Sequence, residues 1–274
     1  MPLTLVPTPI GNLEDITLRA LRVLRNADLI ACEDTRTSSV LLRRYRIAAP
    51  LVPFHLHNER ACLPRLMAAL REGRNVAVVS DAGTPGISDP GWILLRAALD
   101  EGIEADVLPG PSALLPALLL SGLTPHPFLF LGFPPEKPGA RGELFQSLRG
   151  VPWTLCFYIS PHKAERQIAE MAEALGDRRA ALVREISKVY QESIRAPLSG
   201  LIARLGQGVK GELVLVVEGR VSRDEDDGEW RAAADALRAE GATVRSVVEA
   251  VTARYPVAKN AVKAYLLRGR EGAG

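Results

Sequence analysis

Short apolar runs and longer amphipathic segments alternate along the first half of the chain. The run from Val76 to Val79 is apolar throughout and rich in β-branched residues, which predicts a buried strand. Strands that alternate with helices in this rhythm are typical of a largely parallel sheet with helices on its faces. The predicted strands are residues 3–6, 29–32, 51–54, 76–79 and 105–108, and the predicted helices are residues 17–26, 37–45, 63–72, 93–101 and 112–121.

The second half of the chain has more turns between its strand candidates. The breaker cluster Thr124-Pro-His-Pro127 precedes this half and predicts a linker. After residue 220, an acidic run from Asp224 to Asp227 leads into three helical patterns. The strand candidates are residues 128–131, 154–159, 180–184 and 213–217, and the helical patterns are residues 229–240, 244–255 and 258–268.

These patterns predict the α/β class and three parts of the chain. We expect α/β domains at residues 1–122 and 126–220 and a small helical extension at residues 221–274. For the sheet of the second domain, the pattern is compatible with parallel strands and with a mixture of parallel and antiparallel strands. With 274 residues, of which 47% are hydrophobic and 24% charged, the chain is ordinary for a globular fold with a sizeable core.

The sequence carries no signal for a membrane or an export route. No apolar run approaches the roughly 18 residues that cross a bilayer, and the amino terminus lacks the charged segment of a signal peptide. Cys32, Cys62 and Cys156 lack disulfide or metal spacing, which favours reduced thiols. We therefore expect a cytoplasmic protein without a membrane partner.

Charge is unevenly distributed although the net charge is only +2. Residues 19–46 contain seven arginines against three acidic residues, and residues 251–274 contain five basic residues against one acidic residue. Two basic segments on a near-neutral protein can form a surface that binds a polyanion such as nucleic acid. Arginine-rich helices are also common as ordinary solvated faces, so both interpretations are open.

Three loops rich in Gly and Pro follow predicted strands of the first half. They are residues 7–12 with Gly11, residues 80–91 with Gly83 and Pro85, and residues 109–113. The carboxyl ends of parallel strands lie at one edge of a sheet, where α/β proteins bind ligands. Together the loops predict a backbone cradle for a nucleotide-like cofactor.

Standard nucleotide-binding motifs are missing or out of place. The P-loop pattern Gly-x4-Gly-Lys-Ser/Thr does not occur, which argues against a P-loop NTPase. Residues 206–211 match G-x-G-x-x-G but precede a predicted strand, the reverse of the dinucleotide-binding order, so we interpret them as a turn.

Polar clusters follow two other strands. Glu33-Asp-Thr-Arg36 is either a set of active-site groups or a capping and ion-pair cluster at a helix start. His55 and His57 alternate in an extended segment, which permits a metal site, but further ligands with suitable spacing are absent. We therefore predict no metal and expect polar contacts to a substrate.

Several of these segments resemble the tetrapyrrole-methylase superfamily, and more narrowly its branch that acts on ribosomal RNA. The resemblance rests mainly on Ser80-Asp-Ala-Gly-Thr-Pro85, Glu33-Asp-Thr-Arg36, Pro109-Gly-Pro111 and Ser160-Pro-His162, and it extends over about residues 3–220. One departure is Ile159, because that branch usually has Glu at this position.

The resemblance implies two α/β domains of tetrapyrrole-methylase type with S-adenosyl-L-methionine bound in the cleft between them, and commonly a homodimer. It implies that the substrate is a cytidine in the decoding region of 16S ribosomal RNA, methylated at the ribose 2′-oxygen within the small ribosomal subunit. Carried over by position, the cofactor contacts are Pro9, Asp81, Thr84, Ser112, Ala113, Tyr158, Ile186 and Leu213.

Methyl transfer to a hydroxyl needs a proton acceptor and benefits from a nearby cation, since the hydroxyl must lose its proton. The candidate acceptors are Glu33, Asp34 and Glu59, and the candidate cations are Arg36 and Lys188. Two alternatives stay open: a methyltransferase for a small tetrapyrrole or corrinoid precursor, and an RNA-binding assembly factor without catalysis.

Overall fold

The computed structural model describes residues 2–205, 209–220, 228–255, 257 and 259–268. The chain divides into two compact units, residues 1–219 and residues 220–274. The acidic run at residues 224–227 and the first three residues of the G-x-G-x-x-G match lie outside the described residues. Within the described ranges, no helix has the length and apolar character needed to cross a membrane.

The first unit begins with a sheet of five parallel strands in the order β3-β2-β4-β1-β5. Its central strand β4 is the run Val76–Val79, which is buried along its whole length because helices cover both faces of the sheet. The strands are β1 (Leu3–Leu5), β2 (Leu29–Cys32), β3 (Leu51–Pro53), β4 (Val76–Val79) and β5 (Ala105–Val107). The predicted parallel sheet is confirmed.

Five helices accompany this sheet, close to the predicted ranges. Three of them begin earlier than predicted. Helix α2 begins at Thr35 because the side chain of Asp34 accepts a hydrogen bond from the Arg36 N–H and caps the helix. Helix α3 begins at Glu59 and helix α4 at Trp92. The helices are α1 (Leu18–Arg25), α2 (Thr35–Arg44), α3 (Glu59–Arg71), α4 (Trp92–Asp100) and α5 (Leu114–Ser121).

A second sheet follows within the same unit, in the order β6-β7-β10-β8-β9. Strand β6 is parallel to β7 and the other pairs are antiparallel, so the sheet is mixed. Its elements are β6 (Phe128–Phe130), α6 (Pro138–Ser147), β7 (Thr154–Ile159), α7 (Ala164–Leu175), β8 (Arg179–Arg184), β9 (Glu192–Pro197), α8 (Leu198–Leu205) and β10 (Leu213–Val217). Strand β9 was not predicted, because its half-exposed, partly charged residues lack the apolar signal of the other strands.

Helix α5 connects the two sheets. Its Ala117 and Leu118 are buried in one apolar cluster with Val183 and Val214 of the second sheet. Ile10 of the first half of the chain is buried in the same cluster, whereas Leu115 and Leu119 of α5 remain exposed. The two α/β regions therefore share a core, and their boundary at residues 122–126 stays a prediction.

The second unit is a group of three helices. They are α9 (Gly228–Ala239), α10 (Val244–Arg254) and α11 (Lys259–Arg268), in agreement with the three predicted patterns. Trp230, Val247, Val251 and Val262 are buried in its apolar core. The side chain of Thr243 caps α10 by accepting a hydrogen bond from the Ser246 N–H.

Candidate functional site

The three Gly/Pro loops follow neighbouring strands β4, β1 and β5 and contact one another directly. Thr8 and Gly83 exchange backbone hydrogen bonds of 2.9 Å in both directions, which joins the first loop to the second. The Thr84 Oγ1 donates to the Pro111 carbonyl oxygen at 3.4 Å, which joins the second loop to the third. The loops form one surface at the carboxyl edge of the parallel sheet.

Two glycines in these loops sit where the chain approaches itself closely. A Cβ atom at Gly110 would lie 2.7 Å from the Pro7 Cβ, so glycine allows the third loop to touch the first. A Cβ atom at Gly11 would lie 2.4 Å from the Lys188 Cγ, so glycine allows the first loop to pack on the turn after β8. The surface is therefore closed on one side by the second sheet.

A cavity of about 740 Å³ opens between these loops and the second sheet. This volume lies within the range of small-molecule and cofactor sites, about 300–1,000 Å³. The structure brings most of the predicted contact residues together around it. Those that line the cavity are Glu33, Asp81, Gly83, Thr84, Ser112, Ala113, Tyr158, Ile186 and Leu213.

The other predicted cofactor contacts lie beside this cavity. Pro9 and Gly11 line an adjoining cavity of about 350 Å³, which shares Ile10, Asp81 and Glu212 with the large one. Pro85 is buried next to Thr84 and does not line the large cavity.

The remaining catalytic candidates do not line the large cavity. The backbone N–H of Asp34 donates to the Asp81 Oδ1 at 3.1 Å, while the Asp34 carboxylate accepts hydrogen bonds from Arg36. These bonds lower the pKa of Asp34 to about 2. Glu59 is the first residue of α3, outside the set of lining residues.

Lys188 reaches the cavity wall through Glu212. Its Nζ donates to the Glu185 Oε1 at 2.9 Å and to the Glu212 Oε2 at 3.3 Å. Burial alone would lower the pKa of Lys188, but the hydrogen bond with Glu185 and the charge of Glu212 raise it overall. Lys188 therefore stays charged and holds a carboxylate that lines the cavity.

One wall of the cavity is aromatic. The ring centroids of Phe130 and Tyr158 lie 4.9 Å apart, and those of Phe133 and Tyr158 lie 5.5 Å apart. Of these, only Tyr158 was predicted as a contact. The side chain of Phe133 could be assigned to the cavity only once the two sheets were placed together.

Four carboxylates line the cavity, and none of its lining residues in the described part of the chain is Lys, Arg or His. They belong to Glu33, Asp81, Asp89 and Glu212. Burial is the main cause that raises the pKa of Glu33 and of Asp81. For Asp89, burial and the charges of Glu33, Asp81 and Glu212 raise the pKa to about 6. The cavity is thus suited to a positively charged ligand.

Two further residues near the cavity complete its description. Ile159 is buried and lines the wall, so an apolar side chain occupies the position where the resemblance leads us to expect Glu. The Nδ1 atom of His55 is buried and has no hydrogen-bond partner among the described residues. Among the residues that the structure describes, no group of three His, Cys, Asp or Glu is arranged to hold a metal ion.

The chain is similar to known proteins over most of its length. The family model of the tetrapyrrole (corrin/porphyrin) methylases matches residues 2–202. The ribosomal RNA small subunit methyltransferase I of Mesorhizobium japonicum is 43% identical over 270 residues, which cover 97% of this chain and 87% of that protein. The protein of the same name from Bacillus subtilis is 39% identical over 264 residues, which cover 95% of this chain and 87% of that protein.

Solved structures share the fold. The uroporphyrin-III-C-methyltransferase of Thermus thermophilus superposes with a TM-score of 0.59 at 24% identity, over 79% of this chain and 93% of that chain. A diphthine synthase superposes with a TM-score of 0.60 at 14% identity, over 79% of this chain and 89% of that chain. The matched sequences and the shared fold lead to one conclusion: the chain belongs to the tetrapyrrole (corrin/porphyrin) methylases and, within them, to the ribosomal RNA small subunit methyltransferase I family of methyltransferases.

Proposed function

We propose that this chain uses S-adenosyl-L-methionine to methylate the ribose 2′-oxygen of a cytidine in the decoding region of 16S ribosomal RNA, within the small ribosomal subunit. The names of its relatives support the class of substrate. The structural observation that carries the proposal is the cavity, whose lining, as far as the described residues go, has four carboxylates and no basic side chain. Such a site attracts a cation and repels a phosphate.

S-adenosyl-L-methionine, when bound, supplies a methyl group on a positively charged sulfonium. The residues around the cavity fit such a ligand. Asp81 and Asp89 provide negative charge, and the two loops that carry Thr84 and Ser112 provide hydrogen-bonding groups. The rings of Phe133 and Tyr158 provide an apolar wall for a flat base. Of the remaining predicted contacts, Pro9 and Gly11 contribute from the adjoining cavity, and Ala113, Ile186 and Leu213 from the walls of the large one.

The proton acceptor must face the cavity and remain basic near neutral pH. Glu33 meets both conditions because its carboxylate lines the cavity and burial raises its pKa. Asp89 meets them as well, with a pKa of about 6. Asp34 is a poor base because its hydrogen bonds with Arg36 keep its pKa at about 2. We therefore assign the proton transfer to Glu33 or Asp89. Arg36 and Lys188 do not line the cavity, so we assign neither of them to the stabilisation of the reacting oxygen.

The alternative of a small ring substrate is disfavoured by the relatives, because the proteins that are 43% and 39% identical over most of this chain are named ribosomal RNA methyltransferases. The alternative of an assembly factor without catalysis predicts that the cavity does not bind the cofactor. Isothermal calorimetry with S-adenosyl-L-methionine tests this, because an absence of binding heat would favour that alternative.

The deciding experiment uses small ribosomal subunits that lack the modification. The protein is incubated with these subunits and radiolabelled S-adenosyl-L-methionine, and the labelled nucleotide is mapped by nuclease digestion and mass spectrometry. We expect one labelled 2′-O-methylcytidine in 16S ribosomal RNA. Label on a base, on another RNA or on no RNA would contradict the proposal.

A ribosomal substrate also implies a cytoplasmic protein, and we propose that it acts as a homodimer. Analytical ultracentrifugation checks the dimer, since a sedimentation coefficient of a 29.6 kDa monomer at micromolar concentration would exclude it.

A further inference from the structure

The acidic cavity raises the question of where the RNA backbone binds. Four carboxylates line the cavity, so phosphates that approach it are repelled. The negative charge of the RNA phosphates must therefore be neutralised outside the cavity, by a positively charged surface. This surface must be close enough to the cavity for one ribose of the bound RNA to enter it. The structure offers such a surface on α2.

A groove of about 490 Å³ runs between α2 and the segment that leads into the edge strand β3. Arg36 and Arg43 line it from α2, and Ile47, Ala49 and Leu51 line it from the other side. The two arginines are seven residues apart, which places them on the same face of the helix, about 10 Å apart along its axis. Their guanidinium groups can contact different phosphates.

Of the two arginines that line the groove, Arg36 is paired with Asp34, whereas Arg43 has no acidic partner within the described residues. Arg43 and the nearby Arg44 and Arg46 are exposed and form no ion pair within the described residues. In the same unit, Arg71 is paired with Glu101 and Arg96 with Asp100. Arg36 is paired with Asp34, but its side chain remains 90% exposed.

The groove also begins next to the cavity. Glu33, three residues before Arg36, lines the cavity, and the backbone N–H of Asp34 donates to the cavity residue Asp81 at 3.1 Å. A strand of RNA in the groove would thus pass the cavity entrance at the amino-terminal end of α2.

We propose that this groove binds the phosphate backbone of the RNA substrate, with Arg43 as its principal contact and Arg36 at the end nearest the cavity. The inference rests on the proposed function, because it assumes an RNA substrate. It adds the place where that substrate is held and the residues that hold it.

The test measures equilibrium binding of the full chain to unmethylated small subunits over a series of KCl concentrations. The logarithm of the binding constant falls as the logarithm of the salt concentration rises. Loss of one phosphate contact makes this slope shallower by about 0.7–0.9. We expect this change for Arg43→Gln, together with a roughly three- to tenfold weaker binding at 100 mM KCl. Arg43→Lys keeps the charge and should retain most of the binding. The KM for subunits should rise in Arg43→Gln, while kcat at saturation and the affinity for S-adenosyl-L-methionine stay unchanged.

Two comparison variants sharpen the test. Arg96→Gln removes an exposed arginine on α4, away from the groove, and should leave the salt slope unchanged. Arg44→Gln removes the same charge from the same helix at a position that does not line the groove, and its effect should be less than half that of Arg43→Gln. If Arg43→Gln and Arg44→Gln weaken binding equally, the RNA is attracted by the general positive charge of this region and not by a contact in the groove. That result would overturn the inference.

The inference and the proposed function can fail separately. If the wild-type protein methylates the subunits but Arg43→Gln keeps the wild-type salt slope, the groove is not the RNA site. If the wild-type protein binds subunits through Arg43 but transfers no methyl group, the proposed activity is wrong, while the groove remains supported as the RNA-binding site. Arg43 is exposed and Gln is a good helix former, so the variant should fold.

Discussion

At the scale of single residues, Asp89 illustrates how a cavity can favour ligand binding at a cost in stability. The pKa of its carboxyl is raised to about 6 by burial and by the neighbouring charges of Glu33, Asp81 and Glu212. In the unfolded chain the pKa returns to about 3.9. Between these two values the folded state binds more protons, so the free energy of unfolding falls as the pH rises. Above pH 6 the ionised group destabilises the empty protein and is ready to attract a cation.

We predict that Asp89→Asn stabilises the empty protein at pH 7.5. The gain in the free energy of unfolding should be at most about 3 kcal/mol, which corresponds to a pKa shift of about two units. It should shrink towards zero as the pH is lowered to 4, because the wild-type carboxyl is then protonated in the folded state. Urea unfolding at several pH values measures the effect. Ser88→Ala, at a neighbouring lining residue without a titrating group, serves as the control, and a gain independent of pH would contradict the prediction.

The same substitution should weaken binding of a cation. S-adenosyl-L-methionine carries the sulfonium charge, whereas its demethylated product lacks it. We expect the preference of the wild-type protein for the charged compound to rise between pH 5 and pH 7.5, as Asp89 ionises, and to rise less in Asp89→Asn. Calorimetric titration with both compounds provides the measurement. An equal pH dependence in the two proteins would show that the other carboxylates alone recognise the charge.

Gly110 provides a steric prediction at the residue scale. A Cβ atom there would lie 2.7 Å from the Cβ of Pro7, whose ring cannot move aside easily. We expect Gly110→Ala to lower the free energy of unfolding by about 1–3 kcal/mol, as overpacking does. Because the first and third loops would separate, the affinity for S-adenosyl-L-methionine should fall roughly tenfold, which corresponds to about 1.4 kcal/mol.

The matched control for Gly110→Ala is Gly139→Ala. Gly139 lies in helix α6 with no atom within 4 Å of an added Cβ. Alanine is the better helix former, so this variant should be as stable as the wild type or more stable. Wild-type cofactor affinity in Gly110→Ala would mean that the contact between the two loops is not needed for the site.

At the scale of elements, the edge strand β9 has a role that its weak apolar pattern conceals. Its Arg195 donates hydrogen bonds to the carbonyl oxygens of Leu120 and Ser121, the latter at 3.2 Å. These carbonyls belong to the last turn of α5, where helices have unsatisfied acceptors and favour a positive charge. Strand β9 thus binds the carboxyl-terminal end of α5. At the other end of this helix, Ser112 and Ala113 immediately precede its first residue and line the cavity.

We predict that Arg195→Ala lowers the free energy of unfolding by about 1–3 kcal/mol, the range for loss of a charged hydrogen bond. Because the cavity residues lie at the other end of α5, the affinity for S-adenosyl-L-methionine should fall less than twofold. Chemical unfolding and calorimetry measure the two quantities. Arg184→Ala, which removes an arginine paired with Glu192 across the β8–β9 pair, is the comparison and should cost less than about 1 kcal/mol. A similar loss in both variants would argue against capping by Arg195.

At the scale of the larger unit, charges of opposite sign lie on two neighbouring surfaces, which we propose bind two different ligands. The cavity holds the carboxylates of Glu33, Asp81, Asp89 and Glu212, while α2 presents Arg36 and Arg43 in the groove beside it. A net charge of only +2 conceals this separation. It predicts that salt affects the two binding events differently, since exposed charges are screened more strongly than buried ones.

We predict that raising KCl from 50 to 200 mM weakens binding of small subunits by roughly tenfold if two phosphates are contacted, and by more if other basic surfaces take part. Binding of S-adenosyl-L-methionine should weaken less than twofold over the same range, because its charge is held inside the cavity. Filter binding and calorimetry in the same buffers give the comparison. Equal salt dependence for both ligands would contradict the separation of charge.

The sequence by itself determined the α/β class, the parallel first sheet and the meeting of three loops at one edge. It could do so because apolar periodicity follows secondary structure, and because parallel strands necessarily end at the same edge of their sheet. The resemblance carried by residues 80–85 and 33–36 added the family. Only the tertiary structure decided that Asp89, Phe133 and Ile159 line the cavity and that β9 completes the second sheet. These features depend on strand register and on contacts between residues far apart in the chain. No local pattern encodes them, so they become visible only when the two sheets are packed together.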